Sequence, residues 1–159
     1  MFKKILVPLD GSELAAKVLP QVVEMAKTFK AEVTLMHVCY TPMIGETTPG
    51  TMKAAAAHES KWCATFLGQA AKGLQDQGVD VKTVCVEGVP AREIIFYADK
   101  NNLDLIALAT HGKGEVAWVL GSTAEKVVSH ATVPVLLIRV IEFKPPLLKE
   151  IYFTTPGVG

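Results

Sequence analysis

The sequence predicts an α/β fold in which a parallel sheet is covered by helices on both faces. Five apolar runs recur along the chain, a helical pattern separates each run from the next, and most runs are nearly continuous in Val, Ile and Leu. Continuous apolar strands are typical of parallel sheets that are buried on both faces. Strict alternation of strands and helices implies right-handed crossovers. At 159 residues the chain is long enough for one such domain.

The five predicted strands are the apolar runs themselves. They lie at residues 4–8, 32–39, 81–87, 103–109 and 133–140.

Four helical patterns separate these strands, and each places apolar residues on one face at steps of three and four. The first covers residues 15–26 and the second covers 63–74, and two further patterns cover 94–98 and 124–131. Pro20 lies inside the first pattern, so we expect either a kink there or the start of a second helical segment.

Two segments fall outside these patterns. Residues 41–51 carry two prolines and two glycines, and so long a connection is either a mobile lid or an insertion. The alternation of strands and helices stops after residue 140. The predicted organisation is one α/β domain over residues 1–141, followed by a C-terminal tail over 142–159.

Composition argues against several classes of partner. Sixteen basic residues balance sixteen acidic residues, so the chain has no overall electrostatic preference for nucleic acid or for an anionic membrane. No stretch approaches the roughly 20 apolar residues of a membrane span. The N-terminal apolar run ends at Pro8 and is too short for a signal sequence. We therefore predict a cytoplasmic protein with no nucleic-acid or membrane partner.

The three cysteines are widely spaced and odd in number. They form neither a CxxC motif nor a Cys/His cluster at metal-ligand spacing, so neither a metal site nor a disulfide framework is expected. Cys39 and Cys85 lie in predicted strands and are interpreted as buried side chains. Reduced cysteines suit the cytoplasm.

Residues 110–123 carry the strongest chemical signal. This segment follows the fourth predicted strand, passes through Gly112-Lys-Gly114 and opens a helix at Gly121-Ser122. Glycines let the backbone approach an anion, and the N–H groups at a helix start point toward negative charge. Lys113 is either a contact to such an anion or a solvent-exposed lysine.

Asp10 adds a carboxylate to the candidate anion site formed by this loop. Ligands of open α/β sheets bind beyond the carboxyl ends of the strands, where the strand order reverses. Asp10 is the second residue after the first predicted strand and faces the glycine loop if the first and fourth strands are neighbours. A carboxylate can accept hydrogen bonds from ribose hydroxyls while backbone N–H groups bind phosphates, so the pair suits a nucleoside phosphate.

In this order and spacing, the motifs resemble those of the universal stress protein family, and the resemblance covers residues 1–139. The matching motifs are Pro8-Leu-Asp10, His37-Val38, Gly88-Val-Pro-Ala-Arg92, Ala109-Thr-His-Gly112 and Leu120-Gly-Ser-Thr123.

This resemblance implies a sheet of five parallel strands in the order 3-2-1-4-5 and a homodimer joined through the last strand. It further implies a regulatory protein of the stress response that binds ATP, with or without magnesium, and hydrolyses little or none of it. In the family, Asp10 would meet the ribose, the backbone of Val38 the adenine, and Gly112, Gly121 and Ser122 the phosphates. The other predicted binding residues are Pro8, Leu9, Ala109, Lys113, Gly114 and Thr123.

The chain departs from the family's ATP pattern, Gly-x2-Gly-x9-Gly-Ser/Thr, in two places. Ala109 stands at the first glycine position, and only eight residues separate Gly112 from Gly121. Alanine is tolerable at a negative φ and costly at a positive one, and the extra Gly114 helps a shorter loop to close. These departures leave open a nucleotide-free interaction module of the same family, and a slow ATPase is a third reading.

Several of these residues also have purely structural interpretations. The spacing of Ser122 and Glu125 fits a capping box, which needs no ligand. Asp10 either caps the first helix, forms an Asx-turn or binds ribose. His37 and His111 are interpreted as packed or hydrogen-bonded side chains rather than as catalytic groups.

Overall fold

The computed structural model describes residues 1–39, 49–112 and 119–141. Strands and helices alternate along these ranges. In chain order they are β1 (Lys4–Pro8), α1 (Glu13–Ala16), α2 (Leu19–Phe29), β2 (Glu32–Cys39), α3 (Pro49–Gln75), β3 (Asp80–Glu87), α4 (Pro90–Lys100), β4 (Leu105–Ala109), α5 (Ser122–His130) and β5 (Val135–Ile138).

The strands form a parallel sheet in the order β3-β2-β1-β4-β5, which confirms the predicted fold class and strand order. β1 lies at the centre, where Ile5 pairs with Val33 of β2 and with Leu105 of β4. Ile5, Leu6 and Val7 are fully buried because helices cover both faces of this strand. Parallel pairing gathers the carboxyl ends of the strands at one edge of the sheet.

Alternate residues of each strand face different helices. On one face, Val22 of α2 and Leu67 of α3 belong to the same core cluster as Ile5. On the other face, Ile94 of α4 packs in a cluster with Leu6. The period of two along β1 therefore divides the core into two layers.

The predicted bounds of β1 and β2 are confirmed, while those of the other strands differ from the prediction. β3 begins one residue earlier, and β4 begins at Leu105 rather than at residue 103. The N–H of Leu103 donates to the carbonyl of Ala98 at 2.9 Å, so this buried residue belongs to the end of α4. β5 is shorter than the predicted 133–140, although Val140 is buried. Leu103 and Val140 are apolar because they pack in the core, and not because they belong to a strand.

A second helical segment begins at Leu19, next to Pro20, which is one of the two outcomes predicted for this proline. The proline lies in the first turn of α2, where the missing N–H breaks no helical hydrogen bond. α3 begins at Pro49, inside the connection predicted at 41–51, and residues 40–48 and the tail 142–159 lie outside the described residues. Among the helices of the described ranges, none is both long and apolar enough to cross a membrane.

The interpretation of the cysteines is wrong for two of them. Cys63 of α3 and Cys85 of β3 form a disulfide, with their Cα atoms 6.3 Å apart. β3 lies at an edge of the sheet, so Cys85 is exposed rather than buried, whereas Cys63 is fully buried on the inner face of α3. Cys39 is buried and free, as predicted.

Candidate functional site

A cleft of about 200 Å³ opens at the carboxyl edge of the sheet, beyond the ends of β1, β2 and β4. The strand order reverses here, between β1 and β4, which is where ligands of open α/β sheets bind. The predicted binding residues that line the cleft are Pro8, Leu9, Asp10, Val38, Ala109, Gly112, Gly121 and Thr123.

The remaining predicted residues fall in two groups. Ser122 begins α5 next to Gly121 and Thr123 but is not part of the lining. Lys113 and Gly114 lie outside the described residues.

A tight turn after β1 fixes the position of Asp10. Its Oδ1 accepts hydrogen bonds from the backbone N–H of Ser12 at 2.9 Å and from the Ser12 hydroxyl at 2.5 Å, which is the predicted Asx-turn. Gly11 has a φ of +87° in this turn, a region that favours glycine. Ser12, not Asp10, caps α1, because its Oγ accepts a hydrogen bond from the N–H of Ala15 at 3.0 Å.

The other carboxylate oxygen of Asp10 lies against Gly112, the residue that begins the glycine loop after β4. A Cβ placed on Gly112 would overlap Asp10 Oδ2. Gly112 is not among the described glycines with a positive φ, so space rather than conformation requires glycine here. Asp10 therefore faces the glycine loop, as expected once β1 and β4 are neighbours.

Thr110 holds the start of α5 against the end of β4. Its N–H donates to the carbonyl of Ile138 at 3.0 Å, and its own carbonyl accepts from the N–H of Gly121 at 2.9 Å. The first N–H groups of a helix have no acceptor within the helix and carry its positive dipole end. Gly121, Thr123 and Ala124 line the cleft, so this end of α5 borders it.

The backbone shows whether Ala109 is strained and whether Ser122 begins a capping box. Ala109 ends β4, and the described non-glycine residues with positive φ are Lys30 and Asn102, so alanine introduces no backbone strain at this position. The capping-box prediction is wrong: the N-cap of α5 is Gly121, and Ser122 is already helical. The spacing from Ser122 to Glu125 therefore does not start at the N-cap position that the motif requires.

Two buried histidines border the cleft. The Nδ1 of His111 lies 2.8 Å from Oγ1 of Thr110, and its buried Nε2 has no hydrogen-bond partner among the described residues. The Nδ1 of His37 lies 2.8 Å from the carbonyl oxygen of Leu9, and its ring packs edge-on against Trp62 at 5.2 Å between centroids. Both make the structural contacts that the sequence suggested, and both also line the cleft.

Sequence reasoning missed most of the apolar wall of the cleft. The apolar lining residues that it did not name as binding residues are Ala15, Met36, Pro90, Ile94, Leu108 and Ala124. Pro90 and Ile94 belong to the start of α4, directly after β3 ends. That position beyond a strand end is the signal that could have identified them.

A second cluster of polar side chains includes His37. One ligand atom each of His37, Cys39 and Glu59 lie within 4.8 Å of one another. Burial raises the pKa of the Cys39 thiol above its ordinary value, and the negative charges of Glu59 and Glu87 raise that pKa further. This cluster differs from the expectation of no metal-ligand cluster. It combines two alternate strand residues with a carboxylate on a later helix, so no local spacing in the sequence marks it.

Comparison with known proteins places this fold in a family. The model of the universal stress protein family matches residues 1–139. The universal stress protein MJ0531 of Methanocaldococcus jannaschii is 34% identical over 141 residues, which cover 87% of this chain and 83% of that protein. The solved structure of MJ0577, from the same organism, matches with a TM-score of 0.75 at 30% identity and covers 87% of this chain and 96% of that one.

Two more distant structures share the fold and contain nucleotides. A universal stress protein from Archaeoglobus fulgidus in complex with dAMP is 22% identical, with a TM-score of 0.59 over 87% of this chain and 99% of that one. An Arabidopsis thaliana family protein with AMP bound is 17% identical, with a TM-score of 0.65 over 86% of this chain and 91% of that one.

Proposed function

Because this chain belongs to the universal stress protein family, we propose that it is a stress-response regulatory protein that binds ATP in the cleft at the end of β1 and β4. The ligand acts as a conformational effector and is hydrolysed little or not at all. In this proposal Asp10 accepts hydrogen bonds from the ribose, and the backbone of Val38 contacts adenine. The phosphates lie between Gly112 and the start of α5, where Gly121, Ser122 and Thr123 are found.

The observation that carries the proposal is the convergence of Asp10 and the start of α5 on one cleft. A carboxylate on one side and a positive helix end on the other match the two polar parts of a nucleotide, the sugar hydroxyls and the phosphates. Lys113 and Gly114 extend this phosphate site in the proposal. The dAMP and AMP complexes of proteins with the same fold support an adenine nucleotide as the ligand.

The lining of the cleft offers both apolar and polar groups to a ligand. Met36, Ile94 and Leu108 supply apolar surface for a planar base. The buried Nε2 of His111 has no hydrogen-bond partner in the part of the chain that the structure describes, which favours a polar ligand group beside it. A buried polar atom without a partner costs about 1–3 kcal/mol, and a hydrogen bond from or to the ligand would recover that cost.

Holding ATP is better supported than hydrolysing it. Among the described lining residues, Asp10 is the one carboxylate. In the proposal this carboxylate accepts from the ribose, and its Oδ1 also accepts two hydrogen bonds from Ser12, so it does not serve as the base for a water that attacks the phosphates. Magnesium would enter with the phosphates, since Mg²⁺ is usually held by phosphate oxygens and water with few protein ligands.

We propose further that the protein is a homodimer joined through β5. β5 lies at an edge of the sheet, so its outer backbone groups have no strand partner among the described residues. Unpaired edge strands are templates for pairing with a second chain.

A nucleotide-free interaction module is the second candidate. The observation that favours it is the loop between Gly112 and Gly121, which is one residue shorter than the family's ATP pattern requires. Ala109 no longer argues for this candidate, because its strand backbone accepts alanine without strain.

Isothermal titration of nucleotide-stripped protein with ATP distinguishes the candidates. We expect binding that Asp10→Ala weakens by roughly 10- to 100-fold, because a hydrogen bond to a charged group contributes about 1.5–3 kcal/mol. Asp76→Ala is the matched control. Asp76 is exposed just after α3 and lies at the end of the sheet where the strands begin, away from the cleft. Absence of heat with ATP, ADP and AMP at millimolar concentration would contradict the proposal and favour the nucleotide-free module. Turnover in the ~1–10³ s⁻¹ range of typical enzymes would contradict the lack of hydrolysis.

A further inference from the structure

Three metal-ligating side chains meet between the end of β2 and α3. His37 and Cys39 are alternate residues of β2, so their side chains lie on the same face of the sheet. α3 packs on that face and contributes Glu59, four residues before the buried Cys63. One ligand atom from each of the three lies within 4.8 Å of the others.

The hydrogen bond of His37 orients its ring for metal binding. Nδ1 lies 2.8 Å from the carbonyl oxygen of Leu9, and because a carbonyl only accepts, Nδ1 carries the proton. In the neutral ring Nε2 then holds a free lone pair. Metal-ligating histidines commonly donate their other N–H to a backbone carbonyl in this way.

Cys39 is a free buried thiol, and Glu59 is partly withdrawn from solvent. Cys39 is 7% exposed and free, whereas Cys63 and Cys85 are bonded to each other. Glu59 is partly buried, although its neighbours along α3 on both sides are exposed. In the described part of the chain no salt bridge joins Glu59 to His37.

We propose that His37, Cys39 and Glu59 form a zinc site with three protein ligands and an open fourth position. Zinc takes nitrogen, sulfur and oxygen ligands together, whereas Mg²⁺ prefers oxygen alone. Zinc bonds of ~2.0–2.3 Å at tetrahedral angles hold the ligand atoms roughly 3.3–3.8 Å apart. The three ligand atoms therefore need to approach one another by about 1–1.5 Å at most, which small changes in the side-chain torsions can supply.

Zinc at this position ties α3 to the end of β2 beside the nucleotide cleft. His37 lines that cleft, and Val38, the proposed adenine contact, lies between the two strand ligands. The zinc site uses none of the residues proposed to bind nucleotide, so either proposal can fail without the other.

Zinc binding is tested on the full chain with its disulfide intact, after chelator treatment and in the absence of nucleotide. We expect competition with a chromophoric chelator to give one zinc per chain and the melting temperature to rise with zinc. Cobalt should give a thiolate-to-metal charge-transfer absorption. Cys39→Ala should abolish this absorption, and Glu59→Gln should lower zinc affinity more than about tenfold.

Two control variants guard against surface binding and altered charge. His58→Ala removes an exposed histidine next to Glu59, and Glu24→Gln removes an exposed carboxylate on α2. Both should bind zinc as the wild type does. Glu59→Gln changes a partly exposed side chain isosterically, so it reports on binding even if Cys39→Ala fails to fold. The proposal is overturned if zinc does not bind at one per chain, or if Glu59→Gln binds zinc with wild-type affinity.

Discussion

Gly112 shows how a single residue can be constrained by its neighbour. Its backbone is not in the positive-φ region, in contrast to that of Gly11. A side chain at position 112 would instead meet the end of the Asp10 side chain. The glycine therefore lets the proposed ribose-binding carboxylate approach the loop that is proposed to hold the phosphates.

Gly112→Ala should weaken ATP binding by roughly 10- to 100-fold and lower stability by about 0.5–1.5 kcal/mol. The added methyl group displaces the Asp10 carboxylate, which strains the side chain and removes its hydrogen bond to the ligand. Titration calorimetry and thermal melting measure the two effects.

Gly73→Ala is the matched control, because nothing lies within 4 Å of a Cβ at this position in α3. It should bind ATP with wild-type affinity. Wild-type affinity in Gly112→Ala would show that the Asp10 position next to Gly112 does not matter for binding.

The sequence predicts the position of residues that follow strand ends, and it does not reveal residues that packing brings together. Asp10 and Gly112 were predicted to face each other because adjacent parallel strands end at one edge of the sheet. The grouping of His37 with Glu59 depends instead on how α3 packs against β2. No local pattern encodes that contact, so it became visible only in three dimensions.

The same distinction holds for whole elements. The bounds of β1 and β2 were predictable because these strands are buried on both faces, and Leu6 and Leu35 are fully buried. β3 is an edge strand in which exposed and half-buried residues largely alternate, and an isolated apolar run does not reveal its place in the sheet. For that reason Cys85 was interpreted as buried, and its bond to Cys63 was missed.

Reducing the disulfide between α3 and β3 should destabilise the protein measurably. The two cysteines are 22 residues apart in sequence. Closing a loop of this length stabilises the native state by about 3 kcal/mol in the chain-entropy model. For a protein of this size, that corresponds to a fall in Tm of about 6–12 °C.

Thermal melting with and without a phosphine reductant measures this effect. Thiol titration of the denatured protein should give one thiol before reduction and three after it, since the chain has three cysteines. The Cys63→Ala, Cys85→Ala double variant is the control and should melt at a temperature that the reductant does not change. An unchanged wild-type Tm, with three thiols titrated, would show that the bond does not stabilise the fold.

At the scale of the whole molecule, the open sheet has two unlike edges. β3 is tied to α3 by the disulfide, and Lys82 of β3 forms an ion pair with Glu32 at 2.7 Å. β5 has only four residues. The carbonyls of Pro134 and Ile138 accept hydrogen bonds from the N–H groups of Ile106 in β4 and of Thr110 just after it. In a parallel ladder the alternate residues, Val135 among them, then direct their N–H and C=O groups away from the sheet.

Val135→Pro should therefore weaken the proposed dimer without breaking the sheet. Proline removes one outward N–H from each protomer and is tolerated in edge strands. Two lost hydrogen bonds of about 1 kcal/mol each raise the dimer dissociation constant by roughly tenfold or more. Val135→Thr is the matched control, since it keeps both the N–H and the branched shape. Sedimentation equilibrium measures the dissociation constants of all three proteins. A monomeric wild type would refute the dimer, and a Val135→Pro variant that dimerises as the wild type does would place its interface on another surface.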